Sequence, residues 1–315
     1  MRIDVIIATY NRAALLERAV RSVLAARRLP EFDFTITVAD NNSTDNTGEV
    51  VAGLAGETNG RVRGLFEPRR GKSYAVNAAI AATEGDVIAF ADDDQVMDVE
   101  WLCAIHQAIA DGFDYVTGRV LGDWEVARAA WPAWFDERLR GPVSVFDGGD
   151  ERYSHENNEA RQGFSGGNGA LTRAAMNKVG GYHAALGKGR DSFAMNEDGE
   201  LLLRLQGGGF RGVYEPRMTV WHRVPRERMT KRYFRRWQRG YGRSMALIDT
   251  LHPKPVRYWL GVPRFLIRRG AESFPRMTAA WIRGDLPGAF AQELNLWFLF
   301  GFIGGKLNVL RSPGT

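Results

Sequence analysis

A single cysteine, Cys103, stands in 315 residues. An intramolecular disulfide and a cysteine-rich zinc site are therefore excluded, and a reducing compartment is the natural setting. The five histidines form no set with metal-ligand spacing. Nothing resembling a charged leader and apolar core precedes the first apolar stretch, Val5 to Ala8, so the chain is expected to work in the cytoplasm. Long hydrophobic runs are also missing. The longest, Leu294 to Gly305, is interrupted by Asn295 and falls short of the roughly 20 apolar residues of an ordinary membrane span. Internal repeats and low-complexity tracts are absent.

Acidic residues are scarce in only one region. Residues 1–210 carry 22 Lys and Arg against 31 Asp and Glu, whereas residues 211–283 carry 18 against 4. A basic block of that density calls for an anionic partner or surface. With 44% hydrophobic residues, the chain has enough apolar material for one large domain or a domain with an appendage.

Periodicity gives the organisation. Ile3 to Ala8, Phe34 to Ala39, Val62 to Phe66, Val87 to Ala91 and Tyr115 to Val120 read as strands. Helical spacing joins Leu15, Leu16, Ala19, Val20, Val23 and Leu24, then Ser73 to Ala82 and Val99 to Ala110. The alternation predicts a doubly wound, mostly parallel sheet of the α/β class. From Gly122 to Gly163 the pattern breaks into irregular structure. Helices return at Arg173 to Val179 and Glu197 to Gln206, each stopped by glycines. After Pro216 the chain reads as Arg-rich and helical.

The sharpest local feature is Asp92-Asp93-Asp94, directly after the apolar strand ending at Ala91. Adjacent carboxylates repel one another, so such a triplet suits a cation or full solvation. At a strand's carboxyl end it sits where open α/β sheets bind ligands. Hard oxygen ligands suit Mg²⁺ or Mn²⁺ bridging to phosphates; a solvated acidic turn, with Asp94 or Asp98 capping the next helix, is the plain alternative. Asp40 also ends a strand and offers an acceptor for a base N–H. Thr9-Tyr10-Asn11-Arg12 ends the first strand with hydroxyl, amide and guanidinium groups. Gly71-Lys72-Ser73 opens a helix, a favourable place for phosphate. Singly, each reads as a turn former, a cap or a surface charge; jointly they line one sheet edge.

The ordered series Val5-Ile6-Ile7-Ala8-Thr9-Tyr10-Asn11-Arg12, Val38-Ala39-Asp40-Asn41-Asn42-Ser43-Thr44-Asp45, Ala75-Val76-Asn77 and Phe90-Ala91-Asp92-Asp93-Asp94 resembles the nucleotide-sugar domain of glycosyltransferase family 2. Val179-Gly180-Gly181-Tyr182, Asn196-Glu197-Asp198 and Tyr214-Glu215-Pro216 with Val220-Trp221-His222 continue the resemblance, which covers about residues 1–245. Where the family commonly reads Asp-Gly-Ser, this chain has Asn41-Asn42-Ser43. The resemblance implies the Rossmann-like GT-A fold, a divalent metal, and inversion at the anomeric carbon. It implies nucleotide contacts from Thr9, Tyr10, Asn11, Arg12, Asp40, Lys72, Asn77, Asp92 and Asp93. Metal ligation falls to Asp94, with Asp92 and His222. Asp198 matches the catalytic base, the carboxylate that takes the acceptor hydroxyl's proton; a first-turn helix acid is the plain alternative. Gly166, Gly167, Asn168 and Glu197 match the acceptor and donor-sugar pocket. The implied donor is a nucleoside diphosphate sugar, UDP first with GDP and dTDP open, and the acceptor is a glycan or lipid-linked hydroxyl.

The expected division is a catalytic domain at 1–245 and a basic, aromatic helical region at 246–315. Arg and aromatic residues interleave from Arg223 to Arg243, Arg235 and Trp237 among them, and reach on to Arg269. They read as an acceptor module or an anionic membrane face, with nucleic acid not expected despite the stacking chemistry available. Two rival functions stay open: a nucleotidyltransferase, which also joins a nucleotide site to metal-binding acids, and a non-catalytic basic adaptor.

Overall fold

A computed structural model describes residues 1–157, 163–187 and 195–311. The first strands are apolar on both sides, as strands covered on two faces must be. In β1 (Arg2–Thr9), Ile3, Val5 and Ile7 join one core cluster and Ile6 the other. Helix α1 (Ala13–Leu24) buries Ala13, Leu16, Ala19, Val20 and Val23, a stripe at helical spacing. The chain continues through β2 (Asp33–Asp40), α2 (Thr47–Glu57), β3 (Val62–Phe66), α3 (Lys72–Ala81), β4 (Val87–Asp92), β5 (Gln95–Met97), α4 (Trp101–Ala110) and β6 (Tyr115–Trp124). Then come β7 (Tyr153–Ser154), β8 (Asn168–Thr172), α5 (Arg173–Val179), α6 (Glu197–Gly207) and β9 (Gly212–Val224).

Among the described residues the main sheet runs β3-β2-β1-β4-β8-β6-β9-β5, with β7 beside β9. Its first four strands are parallel, and β1 lies between β2 and β4, so the strand order reverses there. This is the switch point at which such sheets form a crevice. The other half is antiparallel: β8 runs against both β4 and β6, and β5 against β9. The sheet is thus parallel where sequence alternation predicts it and mixed as a whole.

Several elements depart from their sequence reading. Helix α2 was not evident, because Gly48, Gly53 and Gly56 dilute its pattern. The chain around Pro216 is a strand, β9, and the Arg-rich helix starts only at Lys231. Gly166-Gly167-Asn168 opens a strand instead of forming a plain turn. Asn168 is also not a pocket residue. It is fully buried, its Oδ1 accepts from Trp101 Nε1 at 2.8 Å, and its Nδ2 donates to the carbonyls of Arg119 and Met218, both at 2.9 Å. One amide thereby ties β8 to α4, β6 and β9.

The described residues divide into two compact units, one drawn from 1–123, 146–190 and 197–223, the other from 124–145, 191–196 and 224–315. The position expected to divide them, residue 245, lies inside α7 (Lys231–Leu251). In the second unit α7, the short hairpin β10 (Tyr258–Trp259) and β11 (Val262–Pro263), α8 (Arg264–Ile282) and α9 (Leu286–Arg311) follow in order. A Cβ on Gly242 would stand 2.2 Å from the Phe298 carbonyl, and one on Gly301 2.1 Å from that of Arg239, so α7 and α9 touch backbone to backbone. Trp134, Phe135, Phe234 and Phe290 form an aromatic core there. Among the described residues no helix is long and apolar enough to cross a membrane.

Replacing Asn168 with Ala strands the Trp101 indole N–H and two carbonyls in the sheet. Each orphaned buried group costs about 1–3 kcal/mol, so a loss of at least about 3 kcal/mol is expected. Urea unfolding of the Asn168→Ala protein checks it; a loss below about 1 kcal/mol would contradict this role.

Candidate active site

Strand alternation decides where the acidic triplet points. Ile88 and Phe90 belong to the core cluster on the α3 and α6 face, and Asp92 continues their side of β4. There it meets Lys72, whose Nζ donates to Asp92 Oδ1 at 2.6 Å. Lys72 is the first residue of α3, placed by Gly71 at φ 139°, a backbone angle that favours glycine. The Gly71 N–H in turn donates to Asn41 Oδ1 at 2.7 Å. Burial works against the Lys72 charge, but Asp92, then Glu197 and Asp198, hold it protonated well above the usual lysine range.

Arg12 serves the other two carboxylates. Its Nη1 lies 2.8 Å from Asp93 Oδ1 and 3.1 Å from Asp94 Oδ2. Asp93 is nearly buried and also accepts from the Thr9 hydroxyl at 2.8 Å. Burial pushes the Asp93 carboxyl up, and Arg12 pulls it back. Thr9 and Arg12, expected at the nucleotide, thus bind the triplet directly. His222 arrives through the β5–β9 register, opposite Gln95, and its Nε2 stands 3.5 Å from Asp94 Oδ1. Asp94 and His222 are the oxygen and nitrogen pair best placed for a divalent cation. Among the described residues no group of three His, Cys, Asp or Glu is assembled for one.

The loops after β1 and β2 are stitched together beside this cluster. Asn11, at φ 52°, donates its N–H to Ser43 Oγ at 2.9 Å and accepts from Thr44 N at 2.7 Å. Asp40 Oδ1 accepts from Ser43 N at 2.9 Å. Tyr10 is exposed, with the Arg70 guanidinium 5.5 Å from its ring centre. Asn41, the departure from the family pattern, is buried and holds both Gly71 and the Arg69 carbonyl. No signal in the sequence marked it as the tie that sets Lys72.

The antiparallel β8 delivers the remaining carboxylate. Asn168 pairs with Ala91, so the preceding glycines fall beside Asp92. A Cβ on Gly167 would lie 2.3 Å from Asp92 Oδ2, and one on Gly166 3.5 Å from the Asp198 Cβ. Gly166 N–H donates to Asp198 Oδ2 at 3.0 Å, and Gly199 N–H to Oδ1 at 2.9 Å. Two consecutive glycines therefore separate Asp92 from Asp198. Tyr182 is packed edge-on to Phe90 close by, and its hydroxyl has no hydrogen-bond partner among the described residues. Burial, followed by Asp198, keeps that hydroxyl protonated.

Not every expected residue reaches this edge with free groups. Asn77 is a correction: its Nδ2 donates to the Tyr182 carbonyl and its Oδ1 accepts from Tyr182 N, both at 2.8 Å, so its amide is a clamp with nothing left for a nucleotide. Glu197 is buried at the start of α6, close enough to support the Lys72 charge. Arg235 and Trp237 belong to the second unit, where Arg235 pairs with Glu293 at 2.6 Å and Trp237 stacks on Tyr241.

Relatives share these features. A protein described as an uncharacterized glycosyltransferase of Nostoc is 40% identical over 96 residues, 30% of this chain and 29% of that protein. The glucosyl-dolichyl phosphate glucuronosyltransferase of Haloferax volcanii is 28% identical over 261 residues, 81% of this chain and 79% of its own. A mannosyltransferase of Pyrobaculum calidifontis, solved with GDP-Man and Mn²⁺, superposes with a TM-score of 0.61 at 17% identity, over 97% of this chain and 86% of that one. At that identity it shares the fold, the GT-A arrangement of sheet and helices. The family model described as Glycosyl transferase family 2 matches residues 4–180, more than half the length, and the chain belongs to that family.

Proposed function

We propose that this chain is an inverting, metal-dependent glycosyltransferase that moves a sugar from a nucleoside diphosphate sugar to a hydroxyl acceptor. The observation that carries the reading is the pairing of Asp92 and Asp198 across Gly166-Gly167 at the switch-point edge. One carboxylate stands with the triplet at the phosphate side. The other, oriented by two backbone N–H groups, takes the proton of the attacking hydroxyl. A nucleotidyltransferase would have no task for Asp198 there.

Asp94 Oδ1 and His222 Nε2, 3.5 Å apart, fit a Mn²⁺ or Mg²⁺ ion whose other positions are filled by donor phosphates. When bound, such an ion offsets the charge that develops on the departing diphosphate. Lys72 adds a fixed positive charge on the Asp92 side. Asp40, Asn11 and the exposed Tyr10 form the nucleoside wall, with Thr9 acting through Asp93. UDP is the first candidate from the family resemblance. GDP comes next, because the mannosyltransferase that shares the fold was solved with GDP-Man and Mn²⁺. The name of the Haloferax relative favours a lipid-linked acceptor.

A face of the second unit supports work at an anionic membrane surface. Leu260 at the hairpin tip is 83% exposed, Ile282 74% and Trp281 68%. Arg257, Arg264, Arg268, Arg276 and Arg283 are exposed in the same stretch. Exposed aromatics and leucine amid arginine suit the headgroup boundary.

Three outcomes test these assignments. Asp198→Asn is expected to lower turnover about 10²–10⁴-fold with donor affinity intact; if Asp198 only starts a helix, catalysis survives, since Asn serves that end equally well. Asp94→Asn is expected to abolish the Mn²⁺ dependence of UDP or GDP binding, read by calorimetry, while the protein stays folded. The pair Leu260→Asp and Trp281→Ser is expected to stop co-sedimentation with vesicles rich in phosphatidylglycerol. Equal pelleting of variant and parent would remove the membrane face.

A further inference from the structure

Three consecutive carboxylates should draw a divalent cation strongly, yet this triplet already has two resident counter-ions. Lys72 sits on Asp92 at 2.6 Å, and Arg12 bridges Asp93 and Asp94 at 2.8 and 3.1 Å. The five side chains together carry one negative charge, where the triplet alone would carry three. Asp94 also divides its oxygens: Oδ2 faces the Arg12 guanidinium, and Oδ1 faces His222. A cation entering between Asp94 and His222 therefore lands on a carboxylate that already holds a positive partner. The two positive groups repel across a few ångströms in a nearly buried setting, where such terms are large.

We infer that Arg12 suppresses divalent-cation binding to the empty site, so that metal and nucleoside diphosphate enter as a coupled pair. The inference rests on the metal reading of Asp94 given above. The diphosphate supplies the negative charge that makes a third cation tolerable, and by linkage the metal raises nucleotide affinity by the same factor. Asp93 acquires a part of its own. Nearly buried and bonded to Thr9, it anchors Arg12 beside Asp94 without facing His222 itself. Were Arg12 instead an aid to metal binding, orienting Asp94 for the ion, its removal would have the opposite sign.

The test uses Mn²⁺ alone, with unbound ion counted by electron paramagnetic resonance and folding followed by thermal melting. Arg12→Met is expected to bind Mn²⁺ in the absence of nucleotide at least about tenfold tighter than the parent, and Arg12→Lys to stay near it. Asp93→Asn, which removes one negative charge and leaves Arg12 to Asp94, is expected to bind Mn²⁺ more weakly. Equal or weaker binding by folded Arg12→Met overturns the inference. If that variant fails to fold, Asp93→Asn decides alone, and unchanged or tighter Mn²⁺ binding overturns it. Repeating the titration with UDP and with GDP separates two failures. No Mn²⁺ uptake by the parent with either nucleotide sinks the metal reading itself. Uptake with nucleotide, but no gain in nucleotide-free Arg12→Met, sinks only the part given to Arg12.

Discussion

Carboxylates on three successive residues at the end of a buried strand cannot stand together without cations, and much of the catalytic unit serves to bring those cations in. Arg12 comes from the loop after β1, and Lys72 from the first turn of α3. Neither position is arbitrary. The β1 loop lies next to β4 because the strand order reverses there, and α3 starts where it does because Asn41 holds Gly71. Gly167 lacks a side chain because Asp92 occupies the space a Cβ would need. Charge neutralisation at one strand end thus fixes loop geometry on three neighbouring elements.

How much of this was legible in the sequence follows from how local each signal is. The parallel half was readable because Val5 to Ala8 and Val87 to Ala91 are unbroken apolar runs bounded by polar loops, and their carboxyl ends mark a crevice by rule. The antiparallel half was not. Pro216 and the arginines around β9 disguise a strand whose pairing partners lie far away in sequence. Asn168 looked like a polar group for a ligand because its three partners come from α4, β6 and β9. Asn77 misled in the same way: a motif residue can be retained for a clamp as readily as for contact with substrate. Tyr182 carried no chemical signal, since only burial reveals that its hydroxyl lacks a partner.

The basic region shows the same limit from the side of composition. Counting residues exposed the excess of arginine but not its disposition. Arg235 is paired with Glu293, and Arg138 with Asp285 at 2.8 Å, so part of the charge is neutralised inside the second unit. The arginines that face solvent without comparable burial cluster instead along the hairpin and α8. Gly242 and Gly301, unremarkable in sequence, allow α7 and α9 to approach until their backbones touch. Small residues there set helix spacing, and the aromatic core beside them takes its shape from it.

The Asn77–Tyr182 clamp has a consequence for synthesis. It joins residues 105 positions apart, and Asp198 and His222 are translated later still. Strands β1 to β4 are complete once residue 92 has left the ribosome, with the acidic edge already formed and β8 yet to be made. For that interval one side of β4 is an open strand edge, a surface prone to pairing with other chains. Arg12 and Lys72, both made before the triplet, are then its only neighbours of opposite charge in the nascent sheet, so the same two cations that organise the finished site also shield it while the rest of the protein is unmade.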